Sequence, residues 1–209
     1  MRVLTFVISA FLSSAVFAQQ DPVANPPRAY QMIRSSDSYR QAVVATYLGY
    51  ESALSTHCGK IDINMNTSEA KILTPFQTDA QGNIVNGHWK EFTEGTACGE
   101  KRLYNAMVTI QDGKPQVAPL FPGHSHAGVA LQHDAVQYAA IGAGAGNGCA
   151  ADVNDTALPE GEPSDNKTPW VEKWTVRACG KKSLVTMHFV PDATGTTISV
   201  SPKETVALP

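Results

Sequence analysis

The sequence WKEFTEGTACGEK, residues 89–101, recurs as WVEKWTVRACGKK at residues 170–182. Both copies place a glutamate two residues after the tryptophan, a cysteine nine residues after it and a lysine twelve residues after it. The agreement extends upstream to a glutamine, a tyrosine and a cysteine at equal spacing in both copies: Gln41, Tyr47, Cys58 and Gln132, Tyr138, Cys149. Such self-similarity indicates a supersecondary unit that occurs twice. We therefore expect a tandem duplication, with repeat unit 1 at residues 35–123 and repeat unit 2 at residues 124–209.

The first 18 residues have the pattern of a secretory signal peptide. Arg2 supplies a positive charge, the run from Val3 to Phe17 is apolar apart from Thr and Ser, and Ala18 is a small residue before the cleavage point. This run is short for a membrane span, which takes roughly 20 residues. We expect a bacterial signal peptide at residues 1–18, a Pro-rich arm at residues 19–34 and no transmembrane segment after cleavage. The predicted location is periplasmic or secreted.

The charge balance is mildly acidic. The formal net charge is −3 for the whole chain and becomes −4 when Arg2 is removed. Nonspecific nucleic-acid binding needs a basic surface, so we expect no nucleic-acid partner.

Four cysteines, an even number, favour disulfides in an exported protein. Three pairings are possible, and the repeat favours one bridge within each unit, Cys58–Cys98 and Cys149–Cys179. Loop entropy does not decide between the pairings because it changes slowly with loop length. A four-cysteine zinc site is disfavoured, since no two cysteines have Cys-x-x-Cys spacing.

The apolar pattern predicts an α+β fold in which each unit is one helix followed by a small antiparallel sheet, braced by its disulfide. Helical spacing predicts helices at residues 39–54 and 127–141. In the second helix the buried stripe is expected to be Leu131, Ala135, Tyr138 and Ile141. The polar residues 152–168 are predicted to be a loop and residues 203–209 a tail. The pattern leaves open whether the two sheets merge.

Glu91 and Glu172, the glutamates of the repeated motif, are the candidate catalytic or binding carboxylates. Two equivalent acids that meet near a pseudo-twofold axis could split their pKa values for acid–base work. The alternative is a structural role, in which each glutamate pairs across its hairpin with Lys101 or Lys182. Surface pairs of that kind contribute less than about 1 kcal/mol.

The tryptophans of the motif have two interpretations. Trp89, Trp170 and Trp174 could form a surface that stacks on a carbohydrate or a peptide. They could instead cover the helices from the sheets, in which case their indole N–H groups need buried partners.

Three histidines near the start of unit 2, His124, His126 and His133, are the candidate metal ligands. His126 and His133 are seven residues apart, which is not the i, i+4 spacing that brings two ligands to one ion. The competing interpretation is a set of surface histidines at the start of a helix. No cofactor is predicted.

The segment Trp170-x-Glu172-x-Trp174-Thr-Val176-x-x-Cys179-Gly180 resembles one found in small exported proteins of Gram-negative bacteria, most of which have no assigned function. The first copy departs from this segment by having Thr93 in place of Trp174 and Gly95 in place of Val176. The resemblance implies an envelope or secreted location and implies no catalytic residues.

These observations favour a non-catalytic exported binding module for a partner protein, an envelope component or a small ligand, with the space between the units as its site. One alternative is a secreted hydrolase or metal-binding protein that uses Glu91 and Glu172, or His124 and His126. A second alternative is a structural component of a surface assembly.

Overall fold

The computed structural model describes residues 27–56, 58–146 and 148–209. The predicted signal peptide and residues 19–26 of the predicted arm lie outside the described residues. Within the described part of the chain there are three α-helices and two five-stranded antiparallel sheets. The predicted α+β class is confirmed.

Unit 1 and the described end of the predicted arm together contain two helices and the first sheet, which we call sheet 1. The strand order is β1-β3-β4-β5, and β2 pairs with β3 on the same side as β1. Its elements are α1 (Arg28–Ser35), α2 (Asp37–Ala53), β1 (Ile61–Ile63), β2 (Glu69–Thr78), β3 (Ile84–Ala97), β4 (Glu100–Gln111) and β5 (Lys114–Leu120).

Unit 2 repeats the order of a helix followed by an antiparallel meander. Its strand order is β10-β8-β7-β6, and β9 also pairs with β8. Its elements are α3 (Val129–Gly142), β6 (Ala151–Ala157), β7 (Trp170–Ala178), β8 (Lys181–Pro191), β9 (Thr196–Val200) and β10 (Val206–Leu208).

The two units agree in element order more closely than in side-chain detail. Tyr47 is 1% exposed on α2, whereas Tyr138, at the equally spaced position on α3, is 41% exposed. Within the described residues the two sheets do not merge. A parallel bridge between Gly123 and Thr156 joins β6 to the segment that precedes unit 2.

Each repeated Ala-Cys-Gly forms the two-residue turn of a hairpin. Ala97 pairs with Glu100 across Cys98 and Gly99, whose φ angles are 51° and 84°. The second copy has the same form, with φ angles of 52° and 74° at Cys179 and Gly180. Positive φ at both central residues characterises the type I′ turn, whose twist matches that of the flanking strands.

The disulfides are those favoured by the repeat. Cys58–Cys98 and Cys149–Cys179 have Cα–Cα separations of 5.6 and 5.3 Å. Each bridge fastens the start of the first strand of its unit to the I′ turn of the central hairpin.

Each helix covers one face of its own sheet, which we call the inner face. The core of unit 1 joins Tyr39, Val43 and Tyr47 of α2 to residues of β3 and β4, among them Trp89. The core of unit 2 joins the α3 alanines to the aromatic residues of β7 and β8. The opposite face of each sheet is its outer face.

The stripe predicted for α3 is confirmed at Ala135, which is buried, and at Leu131, which packs against the core, but it was wrong at Tyr138 and Ile141. The buried residues of α3 are Gln132, Ala135, Ala139 and Gly142. Ile141 is 64% exposed. At Gly142 a residue without a side chain is required because the helix lies very close to the sheet there. A Cβ at Gly142 would approach Val185 Cγ1 to 2.5 Å.

The predicted loop at residues 152–168 and the predicted tail at 203–209 each contain a strand. In β6, Asp152 accepts hydrogen bonds from Ser55 N at 3.0 and 3.1 Å and from the Ser55 hydroxyl. A residue of unit 1 therefore satisfies the Asp152 carboxylate, a group typical of a loop. At the other end, Val206 pairs with Leu184.

The described end of the predicted arm is helical. Helix α1 begins directly after Pro27 and buries Tyr30. The Tyr30 ring packs edge-on against Trp89, with centroids 5.2 Å apart. This contact explains why the segment is ordered although prolines precede it.

Candidate functional site

Glu91 lies on the inner face of β3 and is 1% exposed. Five donors surround its carboxylate. Tyr39 OH donates to Oε2 at 2.8 Å and Trp89 Nε1 donates to the same oxygen at 3.0 Å. Arg34 Nε also donates to Oε2, at 3.2 Å. Arg34 Nη2 and the Ser68 hydroxyl both donate to the other oxygen, Oε1. Burial, followed by the Glu91 charge, raises the pKa of Tyr39, so its hydroxyl remains a donor.

Glu172 occupies the equivalent position on β7 and is fully buried. Its five donors carry no side-chain charge. They are Trp174 Nε1 at 2.7 Å on Oε2 and, on Oε1, Trp170 Nε1 at 2.9 Å, Ser125 Oγ at 3.0 Å, His126 N at 2.9 Å and Ala127 N at 3.3 Å. The carboxylate thus ties the strand to the loop that begins unit 2.

The predicted pairing of these glutamates with Lys101 and Lys182 was wrong. Lys101 is opposite Thr96 in the β3–β4 ladder, on the outer face, while Glu91 is opposite Ala106 on the inner face. Residues directly opposite share a face and successive residues alternate. Lys182 lies 3.7 Å from Glu100 instead.

The three tryptophans are all buried and belong to the cores. Trp170 stacks on Phe189 with centroids 4.8 Å apart. The indole N–H groups of Trp89, Trp170 and Trp174 are directed to the two motif carboxylates. The structure therefore brings Trp89 together with Glu91, and Trp170 and Trp174 together with Glu172.

The histidines are not brought to one point. His124 packs against Phe92, with ring centroids 5.4 Å apart. His126 Nδ1 is 2.7 Å from Glu162 Oε1, and His133 lies on the exposed side of α3 beside Asp134. Among residues 27–56, 58–146 and 148–209, no group of three or more His, Cys, Asp or Glu side chains is arranged to hold a metal ion.

Lys90 is a buried lysine at the junction of the units. It lies on the outer face of β3 and is 3% exposed. Its ammonium donates to the carbonyl of Ser125, with His126 O at 3.4 Å and Ala127 O at 3.5 Å. Burial lowers the pKa of Lys90 to about 8, and Glu162 and Glu172 partly oppose that shift.

The segment Ser125–Ala127 is therefore held from both sides. Its carbonyls face Lys90 of unit 1, and its N–H groups and the Ser125 hydroxyl face Glu172 of unit 2. No sequence signal marked Lys90, since strand alternation places it on the face opposite Trp89 and suggests exposure.

A cleft of about 850 Å³ lies between the two units. Residues of β1, β3 and β4 form one wall, and residues of β6, β7, β8 and β10 form the other. We call it the inter-unit cleft. A second cavity of about 620 Å³ lies beside it on the outer face of sheet 1 and shares Glu94 and Leu103 with it. The two cavities adjoin at these residues, and we call them together the groove.

Asn154 lines the inter-unit cleft at a bulge in β6 and is 2% exposed. Neither its amide nitrogen nor its amide oxygen has a hydrogen-bond partner within the described residues. A buried polar group without a partner costs about 1 to 3 kcal/mol, so the pair of atoms is a candidate contact for a ligand. No sequence pattern distinguishes Asn154, which lies within the predicted loop.

No described helix is both long enough and apolar enough to cross a membrane. Comparison of the chain with protein-family models, with curated proteins and with solved structures finds no match.

Proposed function

We propose that this protein is a non-catalytic exported binding module that holds its ligand in the inter-unit cleft. The observation that carries the proposal is Asn154, whose buried amide lacks a partner in the described structure and lines a cleft built by both units. Binding sites favour such interfaces between units.

The two motif carboxylates support a binding role over hydrolysis. Glu91 and Glu172 are buried and each accepts from five donors. A general acid or base must reach a substrate proton within hydrogen-bond distance. Carboxylates whose oxygens are already occupied in the cores are better suited to bracing the strands.

We further propose that the units arose by duplication and that the protein works in the periplasm or outside the cell. The shared element order and the matching I′ turns support duplication. The two disulfides support the location because such bridges persist in oxidising compartments. The resemblance to small exported Gram-negative proteins remains a prediction.

The proposal can be tested by native mass spectrometry of the protein purified from its own host. Thr96 is exposed and lines the cleft, so Thr96→Trp fills the site. The matched control is Ser199→Trp, at an exposed position of β9 outside the cleft. We expect a non-covalent bound mass in the wild type and the control that is lost in Thr96→Trp. Equal occupancy of the two tryptophan variants would contradict the proposal, as would a wild-type protein without any bound mass.

A further inference from the structure

We infer that the groove formed by the inter-unit cleft and its neighbouring cavity binds an extended, basic polypeptide segment with cationic side chains at alternate positions. This inference rests on the proposed function and assigns a ligand class to its site.

The first argument is the shape of the site. The cavities of about 850 and 620 Å³ adjoin at Glu94 and Leu103 rather than forming one round pocket. A groove of this form suits a chain molecule more than a compact ligand. It follows β3 from the level of Phe92 to that of Thr96.

The second argument is charge. Asp62, Glu69 and Glu94 line the groove, are exposed and have no ion-pair partner within the part of the chain that the structure describes. The other acidic side chains of the groove include Glu100 and Glu162, which are already paired with cations. Lys101 is an exposed cation of the same wall that also has no ion-pair partner within the described residues. Three available carboxylates against this one cation leave the wall formed by sheet 1 net negative.

The third argument is spacing. Glu69 is opposite Phe92 and Asp62 is opposite Thr96, with Glu94 midway between these levels on β3. Successive levels are two residues apart, or about 7 Å at the rise of a β-strand. Alternate side chains of an extended peptide have the same repeat. A segment lying along this wall would present a cation to each carboxylate.

The opposite wall supplies a group that matches the backbone of such a segment. The Asn154 side chain has one donor group and one acceptor, and both lack partners in the described residues. A peptide unit offers the complementary acceptor and donor. A carbohydrate is less well matched, because the Phe92 ring of the groove is already packed against His124 and stacking surfaces favour free aromatic faces.

The test uses fluorescence anisotropy with a labelled peptide of sequence Lys-Ser-Lys-Ser-Lys-Ser-Lys. A second peptide contains the same four lysines and three serines in two blocks. A third has glutamate in place of lysine. We expect the alternating peptide to bind about 3-fold more tightly than the blocked peptide and the acidic peptide not to bind. Spermine, a cation without a peptide backbone, is the competitor.

Two variants locate the contact. Glu94→Gln should weaken binding of the alternating peptide by about 5-fold, and Asn154→Ala by a similar factor. The matched control is Glu160→Gln, an exposed glutamate outside the groove, which should leave the affinity within about 1.5-fold.

Equal affinity for the alternating and blocked peptides would overturn the inference. So would equal affinity of Glu94→Gln and Glu160→Gln, or spermine binding as tightly as the peptide. These outcomes are distinguishable from failure of the proposed function, whose readout is the mass carried by the host-purified protein and its loss in Thr96→Trp.

Discussion

Trp174 donates its indole N–H to Glu172 Oε2 at 2.7 Å, and unit 1 has Thr93 at the corresponding position of the motif. The two buried carboxylates are consequently stabilised in different ways. Glu172 depends on neutral donors, whereas Glu91 has Arg34 as a charged partner. Substitutions that remove charge should therefore act differently in the two units.

Glu172→Gln should destabilise the protein strongly. The new amide group turns a donor towards N–H groups that already donate, such as those of Trp174 and His126. We expect a loss of about 3 kcal/mol and a fall in Tm of about 9 °C. Thermal unfolding followed by circular dichroism measures it, with Glu160→Gln as the control for charge. If Glu172→Gln had the same Tm as the control, the hydrogen bonds to the Glu172 carboxylate would not contribute to stability.

Arg34→Met should leave Glu91 as a buried charge without its cation. Breaking one side of a buried pair costs about 3 kcal/mol, whereas replacing both partners with apolar residues is often close to neutral. We therefore expect the double variant Arg34→Met/Glu91→Met to be more stable than Arg34→Met alone, by urea unfolding. Arg28→Met, at an exposed position of the same helix, is the control. If the losses of unfolding free energy from Arg34→Met and Glu91→Met simply added in the double variant, Arg34 and Glu91 would not act as an ion pair.

Lys90 should make stability depend on pH. Its pKa is about 8 in the folded protein and about 10.4 in the unfolded chain. Below the lower value both states carry the proton. As the pH rises past it the folded state loses its proton first, so the cost of the buried charge is relieved and stability rises.

From about pH 7 to about pH 9.5 the wild type should gain about 2 kcal/mol relative to Lys90→Met, which cannot titrate at this position. Urea unfolding across this range gives the difference. The charged groups that bear on Lys90 are Glu162, Glu172 and Lys71. If the unfolding free energies of the wild type and of Lys90→Met changed in parallel with pH, titration of Lys90 would not be the cause of the change.

The left-handed conformation of Cys98 should be detectable once the bridge is removed. At φ 51° an asparagine is tolerated better than an alanine. We expect Cys58→Ala/Cys98→Asn to be more stable than Cys58→Ala/Cys98→Ala by about 1 kcal/mol. In unit 2, Cys149→Ala/Cys179→Asn should likewise be more stable than Cys149→Ala/Cys179→Ala. A more stable alanine variant in either unit would contradict the I′ assignment there.

Asn154→Ala should stabilise the unliganded protein while weakening ligand binding. Removing a buried amide without a partner should raise stability by about 1 kcal/mol and Tm by about 3 °C. Differential scanning calorimetry of the ligand-free protein measures the change. A lower Tm in the variant would mean that the amide already has a stabilising partner.

Regular features of the chain were predictable from sequence. The helical spacing that includes Val43 and Tyr47 gave α2, and the repeated cysteines gave both disulfides. Local pattern was sufficient in these places because each element buries its own apolar side chains.

Features that depend on segments distant in sequence were not predictable. The sequence of β6 is polar like that of a loop, but Asp152 and Thr156 bond to Ser55 and to Pro122, which are distant in sequence. The burial of Lys90 and the donors of Glu172 likewise come from a segment distant in sequence. The stripe predicted for α3 was wrong at Tyr138 and Ile141 because the helix lies so close to β8 that Gly142 has no room for a side chain beside Val185.

The way Ser125–Ala127 is held has a consequence for how the chain can be divided. Lys90 contributes to fixing the segment that partners Glu172, so the electrostatics of one half are completed by the other. Neither half can then be exchanged with that of a relative as an independent module. A recombinant in which only one half changes would separate the Lys90 ammonium from the carbonyls of the segment whose N–H groups face Glu172. Selection on such chains would act on the two halves jointly.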